Sequence, residues 1–209
     1  MKKIMFNERF GLQQATFDGL KTMTRRIVPD KVMEQVPAYQ EQYYAGALEP
    51  ISVEDAIMQM CGPEHMFHVG YEVGEIVAVA QSYEDVFGYS DAYHLGLFCR
   101  TAAWDNKMFV KAELMPRHIK ITDKKVERLQ AISDEDCLRE GVLVESLHGD
   151  YKYGFYTGSY MKTMGRQGTR SVWYRTPREA YAALIDKVSR KGTWKSNPYV
   201  FAYTYELVD

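Results

Sequence analysis

The 209-residue sequence is poor in cysteine: Cys61, Cys99 and Cys137 are an odd, scattered set with no C-x-x-C pair. Such a set supports neither a disulfide framework nor a zinc ribbon. No apolar run approaches the ~18 residues that a membrane span requires. The opening MKKIMFNERF turns to charge before a signal-peptide core forms, so the expected location is cytoplasmic, with no membrane partner. An excess of either charge is also missing: Lys plus Arg is 26 and Asp plus Glu is 28, a formal net charge of −2. That balance excludes a histone-like polycation and an acidic tail protein, and confines any nucleic-acid affinity to a local patch. Internal repeats and low-complexity segments are absent. Aromatics are abundant, with 16 Tyr, 9 Phe and 3 Trp, in a chain that is 46% hydrophobic and long enough to bury one substantial core.

Along the chain, Lys3 to Phe6 reads as a short strand, and Phe10, Ala15, Phe17 and Leu20 suggest a helix ending at Gly19, a left-handed cap. Residues 28 to 70 lose periodicity except for a short helix after Ser52, which has Asp55 three residues on. Ile76 to Val79 is apolar throughout and suits a buried strand, and Asp85 to Asn106 reads as irregular. Met108 to Leu114 and His118 to Asp123 both alternate, which predicts two strands separated by Pro116. Ser133 to Asp136 starts a helix that stops at Gly141. Thr176-Pro-Arg-Glu179 is a stronger start, combining a hydroxyl cap, a proline at the first helical position and a glutamate three residues after the cap. Tyr181, Leu184, Ile185 and Val188 then make one apolar face, and Tyr199 to Val208 closes the chain as a strand. Short strands of mixed spacing with a few short helices predict an α+β fold built on a small barrel.

Lys21, Thr22, Thr24, Arg25 and Arg26 place two hydroxyls and three cations within six residues, just after the first helix. The cluster suits an anion or a nucleotide, and a lysine of depressed pKa beside a threonine could activate its hydroxyl. A solvated basic loop accounts for the same residues.

Gly19, Lys21, Thr24 and Arg26 also match G-x-K-x-x-T-x-R. With each residue at roughly 5–7% of an average chain, a chance match at one start is on the order of 1 in 10⁵. In this motif the chain resembles ASCH domains, small β-barrel modules of the PUA-like superfamily associated with RNA. The Val73-to-Val79 segment, the Ser133-to-Gly141 helix, the final helix and the Trp194 to Asn197-Pro198 to Tyr203 stretch extend the similarity. It covers roughly residues 1 to 27, 71 to 87, 107 to 146 and 176 to 209. It implies a single PUA-like (ASCH) small β-barrel domain with peripheral helices and insertions at about 28–70, 88–106 and 147–175. Long ASCH chains of this type resemble proteins encoded in phage and prophage genomes. Some bacterial members are amidohydrolases that remove the acyl group from N(4)-acetylcytidine and similar N(4)-acylated cytosines. Their catalytic lysine, threonine and glutamate map onto Lys21, Thr24 and Glu140. As the resemblance implies, Thr24 attacks the amide carbonyl, Lys21 activates its hydroxyl, and Glu140 handles protons for the departing amine. Arg26 would steady the oxyanion or the nucleoside, with Arg25 beside it, and no cofactor is required.

Other residues compete for roles. Glu140 also fits a solvated helix face, and Glu75, following Gly74 at a strand start, is the rival carboxylate at a barrel mouth. Tyr151 to Arg178 carries Lys152, Lys162, Arg166, Arg170, Arg175 and Arg178 without an acidic residue, interleaved with aromatics that include Trp173. Cations and flat rings suit single-stranded nucleic acid; alternatively the rings pack the insertion onto the barrel while the cations pair with Asp85, Asp91 or Asp105. Trp194 and Asn197 would line the same mouth, or pack. His65 and His68 form H-x-x-H near Cys61 without a further clustered ligand, so no metal is expected. Met58, Met60 and Met66 read as core filling. The partner expected is a nucleoside or RNA, and the two functions carried forward are an amidohydrolase and a non-catalytic module that binds RNA or a modified nucleotide.

Overall fold

The structure, a computed structural model, describes residues 1–46, 49–94, 101–147, 149–157 and 170–208. Five strands, β1 (Lys3–Ile4), β2 (Met23–Ile27), β3 (Ile76–Val79), β4 (His118–Arg128) and β8 (Tyr199–Leu207), form one sheet in the order β1-β3-β4-β8-β2. Only β1 and β3 run parallel. Three further strands, β5 (Leu143–Leu147), β6 (Asp150–Thr157) and β7 (Arg170–Tyr174), form an antiparallel sheet in sequence order. The α+β class is as expected, but the larger sheet does not close into a barrel among the described residues. Its edge strands β1 and β2 share no backbone ladder. One side chain spans the gap: Arg26 Nη2 donates to the carbonyl of Met5, just past β1, at 2.8 Å.

The core follows the sheet's two-residue period. Ile119 and Ile121 of β4 pack with Val77 and Val79 of β3 and with Phe201, Tyr203 and Tyr205 of β8, all buried. Residues 30–60 supply helices α2 (Asp30–Met33), α3 (Val36–Gly46) and α4 (Val53–Met60), so the segment that lacked periodicity is largely helical. Ser52 caps α4 by accepting from the Asp55 amide. Met60 is core and Met58 packs against it, whereas Met66 is exposed.

Two expectations fail locally. Met108 to Leu114 forms two 3-10 turns, Lys107–Phe109 and Ala112–Leu114, in place of a strand. No neighbouring strand meets this backbone among the described residues; instead the Lys3 ammonium takes the carbonyls of Met108 and Val110 at 2.6 and 2.8 Å. Val110, Ala112 and Met115 join a second apolar cluster with Tyr83 and Trp104. The stretch read as irregular opens with helix α5 (Tyr83–His94), which is kinked at Gly88.

Three helices bring residues to the start and outer side of β2. Helix α1 (Leu12–Phe17) ends before Gly19, whose φ of +70° makes the predicted left-handed exit. Helix α6 (Asp134–Arg139) is capped by Ser133 and has three acidic residues in its first turn. Helix α7 (Pro177–Val188) carries the complete capping box between Thr176 and Glu179 and buries Tyr181, Leu184 and Ile185. It continues into the short α8 (Thr193–Ser196). From the smaller sheet, Phe155 is fully buried between Phe10 and Tyr174, with ring centroids 6.1 Å away on each side. No helix among the described residues is long and apolar enough to cross a membrane.

Candidate functional site

Sheet register positions the motif. Thr24 pairs with Tyr203 and Arg26 with Phe201, while Met23, Arg25 and Ile27 alternate onto the other face. The Tyr205 amide donates to Thr22 O and the Val28 amide to Tyr199 O, so the even-numbered residues of β2 bond to β8. Met23, Arg25 and Ile27 therefore turn their backbone N–H and C=O outward, along the free edge. A cleft of about 200 Å³ runs along that edge, touching Thr24 through Ile27 in succession. Its far walls are Phe6 and Leu12, Glu140 after α6, and the Tyr181, Leu184 and Ile185 face of α7. The volume lies below the roughly 300 Å³ where pockets for drug-sized ligands begin, and suits a single small amide or a base.

Lys21 sits at the inner end of this cleft with 2% exposure. Its three ammonium hydrogens have three acceptors: Met23 O at 2.6 Å, Glu140 O at 2.7 Å and Glu140 Oε2 at 2.7 Å. Burial lowers its pKa, against the opposing pull of Glu140. Helix α6 ends so as to make this possible. Gly141 takes φ +100°, and a Cβ there would lie 3.0 Å from Leu12 Cδ2 and 3.5 Å from Lys21 Cδ. The tight, left-handed exit lets the chain leave while the side chain and carbonyl of Glu140 both meet the lysine.

Arg25 secures the same carboxylate from the other side. Its Nη1 donates to Glu140 Oε1 at 3.1 Å, its Nε and Nη2 grip Glu127 Oε1 at 2.9 and 2.6 Å, and Nη2 also reaches Asp136 Oδ2 at 3.0 Å. The guanidinium is fully buried. Burial alone would lower its pKa, but Glu140, Tyr181 and Glu127 more than offset that and hold it above the usual value. Sequence reasoning made Arg25 a substrate-binding residue; it lines the cleft, and its guanidinium joins three carboxylates. The missing signal was the pairing of Arg25 with Glu127 and Asp136, more than a hundred residues away.

Thr24 lines the cleft and is 5% exposed. Its hydroxyl is not among the acceptors of Lys21: Lys21 and Glu140 are in contact, and Thr24 lines the same cleft without a hydrogen bond to the lysine. Arg26 also lines the cleft, with its guanidinium over the Phe6 ring at 5.9 Å.

The remaining candidates lie elsewhere. Glu75 is outside the cleft: its Oε2 takes the Lys2 ammonium at 3.0 Å and the Glu72 amide at 2.9 Å, which fastens the turn before β3. Trp194 packs edge-on against Tyr181 at 6.2 Å under the Arg178 guanidinium. Asn197 is the left-handed cap of α8, with φ 46°, and its Oδ1 accepts from the Gln130 amide at 2.8 Å. Trp173 lies on β7 opposite Gly154, and the Arg175 amide donates to Glu179 Oε2 at 3.2 Å. Lys162 and Arg166 lie outside the described residues, as do Cys99 and the side chain of Arg170. The described parts of the Tyr151-to-Arg178 stretch are β6, β7 and the start of α7; Tyr153, Phe155 and Tyr174 pack on the core, as the packing alternative has it for the rings, while Tyr151 is exposed and Arg178 donates to the carbonyls of Ile132 and Gln130. Among the described residues no group of three or more His, Cys, Asp or Glu is arranged to hold a metal.

Comparison of the chain with protein-family models, with curated proteins and with solved structures finds no match in any of the three.

Proposed function

We propose that the protein is an ASCH-type, PUA-like amidohydrolase acting on an N(4)-acylated cytosine nucleoside. The observation that carries this reading is the buried contact of Lys21 with Glu140 at 2.7 Å, in a small cleft that Thr24 also lines. Two residues that the resemblance makes catalytic, 119 positions apart in sequence, are in contact. The five-stranded sheet, with Arg26 reaching across its edges, supports a PUA-like ancestry without barrel closure.

In the proposed reaction the Thr24 oxygen attacks the acyl carbon, the bond from that carbon to the cytosine N4 breaks, and the exocyclic amine leaves with a proton. Water then hydrolyses the Thr24 ester and releases the acid. Taking the Thr24 proton needs a lone pair on Lys21, and all three ammonium hydrogens are directed at acceptors. Lys21 must therefore first lose a proton, which its burial favours. Glu140, held at both oxygens by Lys21 and Arg25, is the relay for that proton toward the departing amine. The test is release of cytidine from N(4)-acetylcytidine by the purified protein, and failure to release it rejects the reading.

The alternative is a non-catalytic module that holds RNA or a modified nucleotide. It is favoured by one feature: the Lys21 ammonium bonds to Glu140 and Met23 and makes no hydrogen bond to Thr24. Salt separates the two. Phosphate-driven binding falls by orders of magnitude between about 50 and 200 mM salt, and turnover of a neutral nucleoside barely responds.

A further inference from the structure

Tyr181, on α7, is 2% exposed, and its hydroxyl has no hydrogen-bond partner among the described residues. Buried polar groups are nearly always paired, because an unpaired one destabilises the fold. A phenylalanine would occupy the same place, edge-on to Trp194, without that penalty. Tyr181 belongs to the wall of the β2-edge cleft, and its hydroxyl oxygen is itself buried. It also stays protonated: burial first, and then Glu140, push its pKa well above the ordinary tyrosine value. The cleft is therefore flanked by a fixed neutral donor that the protein itself does not use.

Its placement indicates what it would meet. Thr24 points to one face of β2, and Arg25 and Glu127 lie on the other. Tyr181 stands on α7, which packs against α6, the helix whose Asp136 reaches Arg25. A substrate whose acyl carbon reaches Thr24 extends its ring past the strand edge toward Tyr181. Between the two, the backbone N–H and C=O of Arg25 face outward along the free edge. A flat heterocycle with alternating donors and acceptors complements that arrangement.

We infer that Tyr181 is a substrate-binding residue whose hydroxyl donates a hydrogen bond to a ring carbonyl oxygen of a pyrimidine base seated along the free edge of β2. The inference rests on the amidohydrolase reading for the identity of the base. Three readouts on Tyr181→Phe test it: the Tm of the ligand-free protein, the Kd for cytidine, and the KM and kcat for N(4)-acetylcytidine. Removing an unpaired buried hydroxyl raises the Tm by about 2–4 °C. Losing the bond to the base weakens cytidine binding and raises KM by roughly tenfold, with kcat changed by less than about twofold. If the wild type turns over and Tyr181→Phe leaves Kd and KM unchanged, this inference is overturned and the roles of Lys21, Thr24 and Glu140 stand. If the wild type binds cytidine without cleaving the substrate and Tyr181→Phe weakens binding, the site assignment holds and the catalytic reading falls. A wild type that neither binds nor cleaves overturns both.

Discussion

Lys21 meets Glu140 twice, its Nζ lying 2.7 Å from the side-chain Oε2 and 2.7 Å from the backbone carbonyl. The double contact binds the start of β2 to the end of α6, so the candidate site is also a structural joint. Removing a buried charge's partner costs about 3–5 kcal/mol, whereas replacing a buried pair with apolar residues is often close to neutral. Lys21→Met and Glu140→Leu should each destabilise strongly in urea titrations. The double variant should be more stable than either single one, and an additive double variant would show that the two charges are not coupled.

The pH dependence of stability carries a sign. The folded pKa of Lys21 lies below its ordinary 10.5 because burial disfavours the ammonium. Between the folded value and 10.5 the unfolded chain binds more protons than the folded one, so the unfolding free energy rises with pH across that window. Lys21→Met should flatten this rise. The rising limb of kcat/KM should fall in the same window, below the pH expected for a solvent-exposed lysine.

Arg25 neutralises Glu127, Asp136 and Glu140 together. In Arg25→Met, Lys125 still reaches Glu127 at 3.0 Å and Asp136 at 3.6 Å, and Lys21 keeps Glu140, but the guanidinium that joins all three is gone. The variant should lose about 3 kcal/mol or more at pH 7. Denaturation midpoints of wild type and variant at pH 7 provide the comparison, and an unchanged midpoint would show that Arg25 does not hold the three carboxylates together.

Gly141→Ala tests the geometry that brings Glu140 to Lys21. A side chain at φ +100° is strained by about 1–3 kcal/mol, and its Cβ would press on Leu12 Cδ2 at 3.0 Å. Both a lower Tm and a fall in turnover are expected. A variant as stable as the wild type would show that the exit from α6 is not constrained.

Local signals were the most legible in the sequence. The Thr176 capping box, the Ser133 and Ser52 caps and the left-handed Gly19 are short-range chemistry, and each appears where the residues place it. Lys21 and Thr24 were readable as a motif, and Glu140 only through the resemblance; that all three line one cleft is a tertiary fact. What failed depended on distant partners. Alternation at Met108 to Leu114 looked like a strand, but the Lys3 ammonium takes its carbonyls where a neighbouring strand was needed. Barrel closure required a ladder between β1 and β2, and the contact across that gap is the Arg26 side chain. Helix α3 was missed because its few apolar side chains do not form one continuous face, leaving little amphipathic pattern.

The central claim is that Lys21, Thr24 and Glu140 act together on an acylated cytosine. The direct measurement is cytidine release from N(4)-acetylcytidine by the wild type and by Lys21→Ala, Thr24→Ala and Glu140→Ala, with circular dichroism confirming that each variant is folded. The account predicts turnover by the wild type and a loss of at least about 10²-fold in each folded variant. An active, folded Thr24→Ala would contradict the nucleophile assignment, and an inert wild type would contradict the enzyme reading as a whole.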